Sequence, residues 1–170
     1  HEEHRDLHLW LDPIAVAEFV MQLSDKLVEI LPKEAGKIKR NRDAYLFNLT
    51  TLHSEIEARF AKLQKRKFSA FHSAYDALID RYALEQVAYL TEVPDEQVSA
   101  RRVASVKSQA ATASCLMAES GEKTLSSRYA RVLGLPLVTT NLLATNSTTS
   151  SYEAYMRELV TTFERCFEQP

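Results

Sequence analysis

Apolar residues at steps of three and four open the chain. Val16, Val20, Leu23, Leu27 and Ile30 make one stripe of a helix. Asp12-Pro13 ahead of it is a start signal, because the carboxylate can accept from first-turn amides that lack a partner and the proline ring already holds a helical φ. The stripe stops at Leu31-Pro32. From Lys33 to about residue 64 the spacing resumes through Ile38, Tyr45, Leu49, Leu52, Ile56, Phe60 and Leu63, with no proline and no glycine after Gly36. A helix of roughly 30 residues would extend roughly 45 Å, longer than a small domain needs for its own core. It is expected to be a spine between two lobes.

After Lys65-Arg66-Lys67 short apolar strings alternate with amphipathic stretches, the pattern of parallel strands joined by helical crossovers. The expected strands are 67–71, 86–90, 114–118 and 135–140, and the expected helices are 73–82, 96–112, 122–133 and 151–168. The fold class is therefore α/β: a four-stranded parallel sheet with flanking helices, preceded by the spine and by the remnant of a second lobe. The divisions follow as 1–32 for that remnant, 33–66 for the spine and 67–170 for the α/β lobe. The polar tract from Thr139 to Ser151 is expected to be the loop after the fourth strand.

Composition narrows the partners. With 45% hydrophobic residues in 170, the chain can bury an ordinary core. Lysine plus arginine total 21 against 23 acidic residues, which leaves no broad positive field for nucleic acid, and Arg101-Arg102 is expected to be a solvated helix face. No apolar run approaches the roughly 20 residues that span a bilayer, so no membrane insertion is expected. The polar start His1-Glu2-Glu3-His4 has the look of a loop's tail, with an earlier segment missing. Cys115 falls in an expected strand and Cys166 near the end of the last helix. A disulfide and two buried thiols both remain open on these grounds.

Two histidines stand where ligand chemistry is usually placed. His72 lies where the first strand hands over to a helix, and His8 lies just before the sharp helix start at Asp12-Pro13. Neutral imidazoles on supports far apart in sequence suit a zinc ion. Trp10 would pack over such a site, although a tryptophan is more often a core residue. A lone histidine near a helix start is more often structural, and His53, midway along the spine, is expected at the surface.

Around these residues the chain resembles the metal receptors of bacterial zinc and manganese uptake ABC transporters, specifically the zinc group often called ZnuA. Asp6-Leu-His-Leu-Trp-Leu-Asp-Pro13 is similar to that family's D-x-H-x-W-L-D-P element, and Phe71-His-Ser-Ala-Tyr75 to its F-H-D-A-Y element. Tyr82-Ala-Leu-Glu85, Val98-Ser-Ala100 and Cys115-Leu-Met-Ala-Glu119, the last similar to a C-x-F-x-E strand, add to it. The resemblance implies a periplasmic receptor of two α/β lobes on a stiff helix, with zinc in the cleft and an ABC transporter permease as the partner that receives it. It carries His8 and His72 over as two zinc ligands. Manganese receptors resemble one another in having glutamate at the second position, so histidine there favours zinc. The cysteine pair is similar to one that is disulfide-bonded in some zinc receptors.

Two departures stand out. The family's first cleft histidine belongs to an N-terminal lobe that this chain lacks. Where many relatives carry an aspartate in an Asp-Pro-Leu-Gly element, this chain reads Thr139-Thr-Asn-Leu-Leu143, so no carboxylate is expected from that loop. His1, Glu2, Glu3 and His4 look like the end of a loop that offers a ligand instead. A metal-dependent hydrolase would need a general base, for which Asp76 is the nearby candidate. A metal-free binding or assembly module is the other alternative, and the stripe from Val16 to Ile30 is expected to pack on the spine or, exchanged, on a second copy.

Overall fold

The computed structural model describes residues 7–63, 65–93, 96–145 and 151–169. His1, Glu2, Glu3 and His4, expected as a loop's tail, lie outside the described residues. Helix α1 runs Pro13–Ile30 and α2 runs Ala35–Ala61. The Asp12 side chain caps α1 by accepting from the Ile14 amide at 2.9 Å. At 27 residues α2 is about 40 Å long. It continues into β1 (Lys67–His72), α3 (Asp76–Tyr82), β2 (Glu85–Thr91), α4 (Ala100–Ala110), β3 (Leu116–Glu119), α5 (Lys123–Leu133), β4 (Leu137–Thr140) and α6 (Tyr152–Phe167).

The four strands pair in parallel in the order β2-β1-β3-β4, so the fold is α/β as expected. From β1 the chain crosses to one side to make β2, then returns past β1 to make β3 and β4. The reversal lies between β1 and β3, and at such a switch point the loops leaving the strands diverge and open a crevice at their carboxyl ends.

Side-chain alternation sorts the sheet's two faces. Phe68, Ala70, Cys115 and Met117 join Leu52, Ile56 and Phe60 of α2 and Met156, Val160 and Phe163 of α6 in one core. Phe71, Leu116 and Ala118 face the other way, toward Val106 and Ala110 of α4 and Ala130 and Leu133 of α5. Phe163 is the hub of the first core, edge-on to Phe60, Phe68 and Tyr75 at 5.8, 5.1 and 5.5 Å between centroids. Cys115 and Cys166 are disulfide-bonded with Cα atoms 5.4 Å apart, which stitches the start of β3 to the last turn of α6.

Several local expectations are corrected. Helix α3 starts at Asp76 rather than 73, and α4 starts at Ala100 rather than 96, because Ser99 is the cap whose hydroxyl accepts from the Arg102 amide at 3.1 Å. Arg102 is not a plain solvated residue: it donates to the Tyr89 carbonyl at 2.9 Å and stacks 4.6 Å from the centre of the Tyr89 ring. His53 is half-buried, with Nδ1 3.2 Å from the Tyr82 hydroxyl, rather than at the surface. Helix α1 packs on α2, with Val20, Leu23 and Leu27 opposite Ile38 and Tyr45 across a shallow groove. Phe19, Ile30 and Phe47 stay exposed.

Arg59 ties α2 to α6. Its Nε and Nη2 donate to the two Glu164 oxygens at 2.8 and 2.6 Å, and these hydrogen bonds hold the Glu164 carboxyl below its usual 4.5. A carboxyl whose folded-state value is depressed contributes stability above its unfolded value and loses it as pH falls through the folded one. Glu164→Gln is therefore expected to cost about 1 kcal/mol in urea unfolding at neutral pH. The two chains should converge in acid, and a gap that persists unchanged at low pH would assign the loss to something other than this pair.

Candidate metal centre

His72 is the last residue of β1 and Glu119 the last of β3. The strands pair Ala70 with Met117, so His72 and Glu119, each two residues further on, stand side by side on one face. That face carries Phe68 and Met117, and the segment before α1 docks onto it. His72 Nε2 lies 3.3 Å from Glu119 Oε1, with the imidazole 2% exposed and the carboxylate 19%. Both groups sit at the carboxyl ends of the strands that flank the topological switch.

His8 reaches them from the 3-10 turn Leu9–Leu11, which is closed by hydrogen bonds from the Leu11 amide to the His8 carbonyl at 3.0 Å and from Asp12 to Leu9 at 3.2 Å. Leu11 is wholly buried in the core. Trp10 donates its indole N–H to the Leu142 carbonyl at 3.1 Å, and its own carbonyl accepts from the Tyr152 hydroxyl at 2.8 Å. Burial pushes the Tyr155 hydroxyl up to about 12, and that hydroxyl also donates to Leu142, at 2.9 Å. The aromatic wall thus stays neutral at ordinary pH. The His8 ring lies 5.6 Å from the His72 ring and 5.1 Å from the Trp10 ring, centroid to centroid.

One ligand atom from each of His8, His72 and Glu119 can be chosen so that all three lie within 4.8 Å of one another. A tetrahedral zinc ion with bonds of about 2 Å sets its donors about 3.3 Å apart, so these three atoms would have to draw closer together, by small side-chain movements, to hold one. Two imidazoles and one carboxylate make a donor set suited to zinc, with a fourth position left for water or another ligand. Among the described residues this is the cluster of three or more potential metal ligands at such spacing.

The two histidines singled out from sequence are brought together. Glu119 was missed as a candidate ligand, although it closes the Cys115 to Glu119 motif. The signal was an acidic residue at the carboxyl end of a buried strand. The stretch from Thr139 to Ser151 contains no acidic residue, and the acidic member of the cluster is Glu119 of β3. Asp76 is exposed in the first turn of α3 and is not part of the cluster.

Comparison with known proteins agrees with this architecture. The zinc-binding protein AdcA of Streptococcus pyogenes is 27% identical over 106 residues, 62% of this chain and 21% of that protein. The high-affinity zinc uptake system protein ZnuA of Brucella abortus is 28% identical over 116 residues, 67% of this chain and 35% of that protein. The crystal structure of the AdcAII protein of Streptococcus pneumoniae superposes with a TM-score of 0.80 at 22% identity, over 97% of this chain and 63% of that one, a likeness of fold. The chain thus spans less than two thirds of the length of each of these relatives. A family model described as zinc-uptake complex component A, periplasmic, matches residues 1–166. By that match, over nearly all of its length, the chain belongs to the family of periplasmic zinc-uptake component A.

Proposed function

We propose that this chain is the metal-holding part of a zinc receptor, in which His8, His72 and Glu119 capture the ion reversibly. The intact receptor then hands zinc to the permease of an ABC transporter in the periplasm. The observation that carries this reading is the convergence of three donor groups, from segments far apart in sequence, at the carboxyl ends of the strands that flank the sheet's switch point. The ion is cargo, and no bond is made or broken. With three protein donors its shell is incomplete, which suits an ion that must be released.

Other observations support the same reading. The buried Cys115–Cys166 disulfide suits an oxidising compartment such as the periplasm. Among the described residues no helix is long and apolar enough to cross a membrane. We infer that residues 33–66 serve as the spine between lobes and 67–170 as the C-terminal lobe. Residues 1–32 belong to the N-terminal side, except that the turn bearing His8 docks on the C-terminal lobe. The apolar residues left exposed on α1 and α2 would then face the remainder of the receptor.

Calorimetric titration of the chain with zinc tests the site. One ion is expected per chain, and Glu119→Gln, which keeps the shape but removes the charge, should weaken binding by about 100-fold, the share of one ligand in a zinc site. Equal affinity in the variant and the parent chain would remove Glu119 from the site.

A further inference from the structure

His8 must meet His72 and Glu119 from a segment that is neither strand nor α-helix, so its position depends on what fixes residues 8–12. Leu11 and Trp10 fasten that turn to the core and to the loop after β4. A third anchor is of another kind. Arg81, in the last turn of α3, donates from Nε to Asp12 Oδ1 at 2.9 Å and from Nη2 to Asp12 Oδ2 at 2.7 Å. Asp12 Oδ1 also accepts from the Ile14 amide, so one carboxylate is held from two directions.

This fork joins the supports of the two histidines. Residues 73–75 lead directly from His72 into α3, and Arg81 then reaches across to Asp12. Asp12 closes the 3-10 turn on Leu9, and Leu11 closes it on His8. We propose that Arg81 is a positioning residue for the metal centre, acting through Asp12 to keep the His8 imidazole turned toward His72 and Glu119. The inference rests on the zinc-receptor reading. A ligand on a short turn that is free to swing must be ordered when the ion binds, whereas one already clamped need not be. Lysine cannot replace the guanidinium, because one ammonium does not match both carboxylate oxygens.

The test uses the full chain with zinc and with cobalt(II), whose visible absorption reports the number and kind of its ligands. Arg81→Met is expected to weaken zinc binding about 10-fold, as loss of an outer support does at metal sites, and Arg81→Lys should recover little of it. Asp12→Asn, which keeps an oxygen to cap α1, should give the same loss and covers the case in which an Arg81 variant folds poorly. In a His8→Ala background, Arg81→Met should change affinity less than about 2-fold, because the group it positions is gone. The cobalt spectrum of Arg81→Met should shift toward that of His8→Ala. Equal losses in both backgrounds, or no loss in the parent chain, would overturn the positioning role while leaving the site intact. If His8→Ala itself leaves zinc affinity unchanged, the site reading fails and the proposal falls with it.

Discussion

Replacing both Cys115 and Cys166 with alanine is expected to lower the unfolding free energy by about 4 kcal/mol, with the urea midpoint falling in proportion. The two cysteines are 51 residues apart, and closing a loop of that length removes about this much chain entropy from the unfolded state. Alanine leaves only small voids at these fully buried positions, so packing adds little. The bond joins β3 to α6, the helix whose Phe163 and Phe167 cover the same face of the sheet. For a chain whose total stability is about 5 to 15 kcal/mol, the loss is large. Dithiothreitol should move the parent chain toward the variant and leave the variant where it is. A double variant as stable as the oxidised parent would show that the unfolded chain gains nothing from release of the loop.

Cys115 immediately precedes β3 and Glu119 ends it, which ties this stability argument to the site. Strand β3 lies between β1 and β4, paired on both sides, so its carboxyl end stays in register without the disulfide. The variant should therefore still bind zinc under conditions where it is folded. Stability and ligand geometry are carried at opposite ends of one strand.

That strand also marks how far sequence could be read. The alternation of apolar strings with amphipathic helices located the ten principal helices and strands to within a few residues, because burial on one face imposes a period that any chain must carry. Helix starts were misplaced where local chemistry is fine-grained: Ser99, rather than the residues before it, supplies the cap that begins α4. Arg102 and His53 looked like surface residues because nothing local announces their partners, Tyr89 and Tyr82, which lie 13 and 29 positions away. His8 and His72 were legible as candidate ligands through their motifs, and the fold brings the two together. Glu119 was not legible, since an acid at a strand's end is ordinarily solvated, and its meaning comes from β3 lying beside β1 in the order β2-β1-β3-β4. Once that pairing is known, alternation alone puts Glu119 on the face of His72. Asp12 carries a similar lesson. Its capping role is local and was read, while its bond to Arg81 crosses 69 positions and was not.

His72→Ala is expected to give the largest loss of metal binding. His72 is the most deeply set of the three donors, 2% exposed and held at the end of a strand paired on both sides, whereas His8 sits on an outer turn. A buried donor on a fixed support needs no ordering when the ion arrives, so its removal forfeits the best-organised part of the site. A loss of about 100-fold or more in zinc affinity should follow. The same loss is readable as stability. An ion that binds only the folded chain stabilises it by about 4.1 kcal/mol when present at 1,000 times its dissociation constant. For a chain of this size that corresponds to a rise of about 12 °C in melting temperature. At the same zinc concentration a 100-fold weaker variant retains about 1.4 kcal/mol, a rise of about 4 °C. Each chain is compared with itself, with and without a chelator, so whatever His72→Ala does to the metal-free fold cancels. An equal zinc-dependent rise in the parent and the variant would show that the ion is held elsewhere.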